Sequence, residues 1–154
     1  MANVTVKQIV EAPLADVWAS WDDYANIHKF HPGLNGSFLL EGSEDTGMGA
    51  LRQCDLADGK NFLREEVIGY TPEKQMVIDI YEMSIPLKTA RATLNYEALG
   101  DNRSQVTMSI DFVPKMGIIG KMMTPMMKKQ FTKTLEDLLA GNAAYVEKQL
   151  VAAA

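Results

Sequence analysis

A chain of 154 residues, 47% of them hydrophobic and 23% charged, is long enough for an ordinary core, and we expect residues 1–154 to form one domain. The formal net charge of −5 argues against nucleic acid as a partner, because binding phosphates requires an excess of basic residues. A single cysteine, Cys54, and two histidines exclude an intramolecular disulfide and a structural zinc set. The N-terminus does not resemble a secretory signal, and no apolar run approaches the roughly 20 residues that span a bilayer, so we expect a cytoplasmic protein without stable membrane insertion.

The N-terminal segment predicts one strand and two short helices. Residues 4–10 alternate polar and apolar side chains and predict a strand, which Pro13 ends. Residues 13–21 predict a helix, because their large apolar side chains recur at spacings of three and four: Leu14, Val17, Trp18 and Trp21. Residues 24–30 predict a second short helix that ends before His31 and Pro32.

The central segment has an apolar period of two, which is typical of strands. Turn residues interrupt it at regular intervals, including Asp58-Gly59 and Thr71-Pro72. The pattern predicts six antiparallel strands, at residues 37–42, 50–56, 61–68, 75–82, 88–96 and 105–113.

The C-terminal segment predicts one long helix. Its apolar stripe contains Met123, Met127, Phe131, Leu135, Leu138 and Leu139. Thr124 and Pro125 suit the N-cap and first helical position, so we expect residues 116–123 to form a separate turn or short helix and the main helix to run to about residue 150. Residues 152–154 read as a frayed tail.

These elements predict an α+β fold in which a seven-stranded antiparallel sheet curves around the long helix. A sheet of this width extends beyond a single helix, so space remains between the two. Either side chains or a ligand would fill that space.

The order of elements and several short motifs resemble the START-like SRPBCC superfamily, and most closely its polyketide cyclase/dehydrase and lipid-transport group. The motifs are Ala12-Pro13 before Val17-Trp18, Phe30-His31-Pro32, Gly49-Ala50-Leu51-Arg52, Leu56-Ala57-Asp58-Gly59 and Pro86-Leu87 before Arg91-Ala92-Thr93-Leu94. The resemblance implies the helix-grip fold with a hydrophobic cavity. Its members range from aromatic polyketide cyclases through lipid and quinone carriers to plant hormone receptors, so the resemblance alone does not define a function.

The turn at Asp58-Gly59 predicts the register of a hairpin. A two-residue type I′ turn places Arg52 opposite Glu65 and Cys54 opposite Leu63, on the more apolar face of the sheet. Arg52 and Glu65 would then form an inward ion pair, which is costly to desolvate unless it serves a purpose. The pair could meet a polar group of a ligand, or it could only order the sheet.

We expect the cavity wall to combine this pair with the inward residues of the other strands and of the long helix. The predicted ligand-binding residues are Arg52, Cys54, Leu63, Glu65, Ile78, Ile80, Ala90, Ala92, Met108, Ile110, Met123, Met127 and Phe131. Similar proteins often carry tyrosine at the position of Ala90, and the alanine here implies a locally larger cavity without that phenol. The methionines near the start of the helix suit a ligand site that changes shape, or a methionine-filled core.

No residue stands out as catalytic, and we expect neither a metal nor another cofactor. His28 and His31 are interpreted as structural or rim residues of the short helix pair. The leading hypothesis is a non-catalytic binder or carrier of a hydrophobic small molecule such as a lipid, quinone or aromatic polyketide. The alternatives are a polyketide cyclase/dehydrase that uses Arg52 and Glu65 to orient its substrate, and a protein-interaction module that uses the same cleft. The sequence leaves the oligomeric state open.

Overall fold

The structure, a computed structural model, describes residues 1–153. It contains β1 (Ala2–Val10), α1 (Leu14–Asp22), a 3₁₀ helix (Tyr24–Lys29), β2 (Leu34–Leu39), β3 (Leu51–Leu56), β4 (Phe62–Thr71), β5 (Gln75–Met83), β6 (Leu87–Gly100), β7 (Arg103–Pro114) and α2 (Gly117–Ala153). All the predicted strands are confirmed. The second strand lies three residues earlier than predicted, because the chain leaves the sheet at Leu40 and turns through Gly42, whose φ is 81°.

The seven strands form one antiparallel sheet in the order β1-β7-β6-β5-β4-β3-β2. Strands β2 to β7 are consecutive neighbours, and β1 pairs with β7 along its whole length, from Ala2 opposite Phe112 to Val10 opposite Ser104. The sheet curls around α2, while α1 and the 3₁₀ helix pack at one end. The predicted helix-grip architecture is therefore confirmed.

The core lies on the concave face of the sheet. In β7, four apolar side chains are buried and alternate with half-buried polar ones, as a strand of period two requires: Val106, Met108, Ile110 and Phe112. On β5 and β6 the predicted inward residues Ile78, Ala90 and Ala92 are buried and Ile80 is half-buried. Met76 and Leu94 are buried on the same strands.

The β3–β4 hairpin has the predicted register but a different turn. Arg52 pairs with Glu65 and Cys54 with Leu63. A type I′ turn requires positive φ at both central residues, whereas here only Gly59 has one, at 77°. Asp58 instead accepts hydrogen bonds from the backbone N–H groups of Lys60 and Asn61, both at 2.9 Å, and these bonds stabilise a longer loop. The register is kept because that loop ends in a backbone bond from Leu56 to Asn61.

The predicted break before the long helix is wrong. Helix α2 begins at Gly117 and continues through Pro125, and residues 152 and 153 belong to it; position 154 lies outside the described residues. Thr124 does not cap a helix, since its hydroxyl donates to the carbonyl of Gly120, one turn earlier, at 3.3 Å. Proline is tolerated here because the carbonyl left without a donor belongs to Lys121, an exposed residue that water can reach.

A left-handed turn explains the early start of α2. Met116 and Gly117 have φ values of 73° and 53°, and this conformation reverses the chain directly after β7. The first turn of the helix then passes so close to the end of β7 that a Cβ on Gly120 would lie 2.1 Å from the carbonyl oxygen of Lys115. Within residues 1–153, no helix combines the length and the hydrophobicity needed to cross a bilayer.

Candidate functional site

A cavity of about 100 Å³ lies between the concave face of the sheet and α2. Most of its wall is apolar. It is lined by Trp21, Ile27, His31, Leu34, Arg52, Cys54, Leu63, Glu65, Ile78, Ile80, Ile85, Leu87, Ala92, Leu94, Met108, Ile110, Phe131, Thr134, Leu135 and Leu138. The half-buried or exposed members, among them Leu34, Leu63, Ile85 and Thr134, place the mouth between α2 and the ends of the neighbouring strands.

Ten of the thirteen predicted site residues line this cavity: Arg52, Cys54, Leu63, Glu65, Ile78, Ile80, Ala92, Met108, Ile110 and Phe131. Ala90, Met123 and Met127 do not. Ala90 is buried opposite Phe112, whose ring packs edge-on against Phe131 at 4.7 Å and fills this end of the interior.

The two methionines lie outside the cavity because of their positions on α2. Met123 is 43% exposed and Met127 packs against the core, but neither lines the cavity. The structure therefore does not support the prediction that these residues line the space beneath the sheet. The alanine at position 90 does not enlarge the cavity either.

Sequence reasoning missed the wall residues that come from loops and from the short helices. The sequence pattern of the two short helices does not show where they dock on the sheet, so it did not identify Trp21, Ile27 and His31 as wall residues. Ile85 was missed because it lies in the β5–β6 turn. Leu94, Leu135 and Leu138 were recognisable as inward residues of a strand and of the helix stripe, but sequence did not show that they border open space.

Arg52 and Glu65 form the buried ion pair that the register predicts. Arg52 is 3% exposed, and its Nε and Nη2 donate to the same oxygen, Oε2 of Glu65, at 3.0 and 2.6 Å. Its Nη1 donates to the backbone carbonyl of Tyr24 at 2.9 Å, and its guanidinium lies over the Tyr24 ring, 3.9 Å from the centroid. Burial is the largest single effect and lowers the pKa of the Arg52 guanidinium, but Glu65 together with smaller contributions from Cys54 and Tyr24 raises it overall.

Trp21 supplies a second polar group of the cavity wall. Its ring lines the cavity and packs edge-on against Phe30, with centroids 5.0 Å apart. Its indole Nε1–H is buried and has no hydrogen-bond partner in residues 1–153. A buried donor without a partner costs about 1–3 kcal/mol, and a ligand whose oxygen reached this N–H would remove that cost.

His31 adds a neutral imidazole. Its Nδ1 accepts a hydrogen bond from the backbone N–H of Gly33 at 3.0 Å, which leaves the proton of the neutral ring on Nε2. Burial lowers the pKa of His31 to about 4, with smaller opposing effects from Glu65, which raises it, and Arg52, which lowers it. A Cβ on Gly33 would lie 2.8 Å from the His31 ring, so glycine there permits this close packing.

The remaining titratable groups near the cavity are poorly suited to proton transfer or metal binding. Burial raises the pKa of the Cys54 thiol, which therefore stays protonated. His28 lies outside the cavity, where its Nδ1 is 2.7 Å from the Ser37 hydroxyl, consistent with a structural role. No group of three or more potential metal ligands occurs among residues 1–153.

The profile of a protein family described as "Polyketide cyclase / dehydrase and lipid transport" matches residues 1–147. No curated protein matches the chain. Among solved structures, a START superfamily protein from Mycobacterium smegmatis superposes with a TM-score of 0.80 at 18% identity, covering 96% of this chain and 98% of that one. The ZhuI aromatase/cyclase from Streptomyces sp. R1128 superposes with a TM-score of 0.79 at 15% identity, covering 97% and 95%. XoxI from Bacillus cereus gives 0.79 at 18% identity, covering 95% and 96%.

Proposed function

The chain belongs to the polyketide cyclase/dehydrase and lipid transport family, and we propose that it binds, without catalysing a reaction, a small apolar molecule that carries a hydrogen-bond-accepting oxygen. A quinone or an aromatic ketone of the polyketide type has this chemistry. The observation that carries the proposal is the unpartnered N–H of Trp21 in a largely apolar wall.

The polar groups of the wall favour an accepting ligand. Trp21 and the neutral His31 each present an N–H, and Arg52 uses three of its five N–H groups on protein oxygens. A carbonyl oxygen could accept a hydrogen bond from the N–H of Trp21 or of His31, whereas a pure hydrocarbon chain would leave both N–H groups without a partner. This chemistry favours a quinone or aromatic ketone over an acyl chain.

The size of the cavity restricts the part of the ligand that it encloses. At about 100 Å³ it is smaller than the roughly 300–1,000 Å³ of most ligand pockets. One ring is therefore about the largest group expected inside without movement of the wall, and the second ring of a bicyclic ligand would extend toward the mouth. A longer tail would leave through the mouth beside Ile85 and Thr134.

Binding is favoured over cyclisation by the state of the titratable groups. Efficient acid–base catalysis requires a group whose pKa lies near the working pH, and that of His31 is about 4. Oε2 of Glu65 already accepts two hydrogen bonds from Arg52, so its lone pairs are engaged within the protein. The similarity to an aromatase/cyclase at 15% identity concerns the fold.

A matched pair of ligands tests the proposal. 1-Indanone and indane share a bicyclic shape and differ in one carbonyl oxygen. Titration of ¹⁵N-labelled protein should shift the indole resonance of Trp21 and leave that of Trp18, which packs against Tyr70 and Tyr96 outside the cavity, nearly unchanged. We expect 1-indanone to bind about tenfold more tightly than indane, with the preference lost in Trp21→Phe.

Two results would contradict this function. Equal affinities for the two compounds, unchanged in Trp21→Phe, would remove the recognition of oxygen. Turnover of a linear poly-β-ketone, lost when Ala92→Phe fills the cavity, would assign the cyclase activity instead.

A further inference from the structure

Met116 and the first three turns of α2 expose an unusual number of large apolar side chains. Met116, Ile118, Ile119, Met122, Met123 and Met126 are between 43% and 78% exposed, and we call these six residues the α2 apolar face. A single exposed apolar residue needs no explanation, but a contiguous set marks an interaction site.

The α2 apolar face is not part of the core. Gly120 is buried and Thr124 is half-buried, so these two residues mark the packed side of the helix. Ile118 lies two positions before Gly120, and Met122 lies two positions before Thr124. Two positions correspond to about 200° of helix rotation, so Ile118 and Met122, the most exposed members of the face, lie opposite the packed side. The cavity and the α2 apolar face are therefore separate surfaces of the same helix.

The surroundings of the α2 apolar face are basic. Residues 112–135 contain five lysines and no acidic residue, although the whole chain has a net charge of −5. A groove of about 700 Å³ runs beside the face, between α2 and the ends of β6 and β7, and no acidic residue lines it. Its basic residues are Lys88, Lys115, Lys121 and Lys128.

We infer that the α2 apolar face docks on the surface of a bilayer that contains anionic lipids. Protruding apolar side chains flanked by lysines are the arrangement of an interfacial helix, in which the apolar tips enter the acyl boundary and the lysines reach the headgroups. Ile118 and Met122, at 78% and 76% exposure, stand out from the surface, whereas a partner helix requires a groove lined with apolar side chains. The groove beside the face carries four lysines and no carboxylate, which suits anionic headgroups.

This docking does not depend on the identity of the cavity ligand. Phe131, which lines the cavity, follows Met126 by five residues, so the docked segment and the cavity wall are neighbouring parts of the same helix. Loss of membrane binding and loss of ligand binding are separable, because no residue of the α2 apolar face lines the cavity.

Vesicle co-sedimentation of the full chain tests the inference. The wild type should bind vesicles of phosphatidylcholine with phosphatidylglycerol, bind vesicles of phosphatidylcholine alone far more weakly, and lose affinity at high salt. Ile118→Ser with Met122→Ser, and separately Lys121→Glu with Lys128→Glu, should each lower the partition coefficient at least about tenfold. Both variants should keep the wild-type affinity for 1-indanone.

Matched controls make the same chemical changes elsewhere. Leu99→Ser with Val151→Ser removes two apolar side chains that are 45% and 77% exposed, and Lys7→Glu with Lys74→Glu makes the same change of charge at exposed positions. These variants should bind vesicles as the wild type does. Absence of wild-type binding to anionic vesicles, a loss in only one of the two test variants, or an equal loss in the controls would overturn the inference. A dimer that forms without lipid and is broken by Ile118→Ser with Met122→Ser would show instead that the face joins two copies.

Discussion

Two N–H groups of Arg52 donate to one oxygen of Glu65, at 3.0 and 2.6 Å, inside a largely apolar wall. Both side chains are nearly excluded from water, at 3% and 10% exposure. Removing one member would leave the other as a buried charge without a partner, and that is more costly than removing both.

A double-mutant cycle should therefore show strong coupling between Arg52 and Glu65. We expect Arg52→Met to lower the free energy of unfolding by about 3–5 kcal/mol, and Arg52→Met with Glu65→Leu to recover much of that loss. Urea denaturation of the four proteins measures both quantities. Additive effects would mean that the two side chains do not depend on each other.

The pair Arg64 and Glu82 is the matched control for this cycle. Its N–O distance is also 2.6 Å, but its side chains are 39% and 48% exposed. We expect a coupling free energy of at most about 1 kcal/mol for Arg64→Met with Glu82→Leu, because water screens exposed pairs. Burial, and not distance, would then account for the difference.

Ala92→Phe should fill the cavity. Ala92 is 5% exposed, lines the cavity and lies at the centre of the sheet opposite Ile78 and Ile110. We expect the variant to unfold cooperatively and to lose 1-indanone binding, since its ring occupies the space that the ligand needs. Thr93→Phe places the same ring on the other face of the same strand and should leave binding intact; equal loss in both variants would indicate a general disturbance of the sheet.

Gly141 lets α2 approach the 3₁₀ helix. A Cβ at this position would lie 2.2 Å from the carbonyl oxygen of Phe30, which is backbone and cannot rotate away. Alanine is favoured over glycine in a helix by about 1 kcal/mol, yet we expect Gly141→Ala to destabilise the fold by about 1–3 kcal/mol. Ala144→Gly, at an exposed position nearby, should cost only the intrinsic penalty of about 1 kcal/mol. Thermal and urea unfolding would distinguish these values, and a more stable Gly141→Ala would contradict the close approach.

His31 should make the fold less stable in weak acid. Its pKa is about 4 in the folded protein and 6.5 when exposed, so the unfolded state binds the proton more readily between these values. The contribution of the neutral His31 ring to the free energy of unfolding is fully present above about pH 6.5. It falls progressively as the pH drops toward 4, by roughly 3 kcal/mol in total. Urea midpoints over this range should show a smaller loss in His31→Gln than in the wild type, and His28→Gln should retain the wild-type loss. Parallel pH profiles of wild type and His31→Gln would contradict the burial of a neutral imidazole.

Sequence patterns predicted the sheet better than the helices. The position of the turn at Asp58-Gly59 was sufficient to place Arg52 opposite Glu65. The alternation of apolar residues then predicted that both point inward, because opposed residues of a hairpin share a face of the sheet. The docking of Trp21 and His31 against the cavity was not predictable, since it depends on where short helices pack in three dimensions. Met123 fits the helix stripe as a core residue and is exposed instead; its neighbours Ile119 and Met122 are also apolar, so hydrophobicity alone does not identify which side faces the sheet.

The pairing of β1 with β7 has a consequence for folding kinetics. The hairpins from β2 to β7 form between segments close in sequence, but Ala2 must find Phe112 across most of the chain, and the cavity takes walls from α1 and from α2. Contacts of such large sequence separation are slow to form, because loop closure costs entropy before they contribute any stability. We therefore expect the meander to gain protection from hydrogen exchange before β1 does. A refolding chain would acquire its ligand site only after both ends have docked.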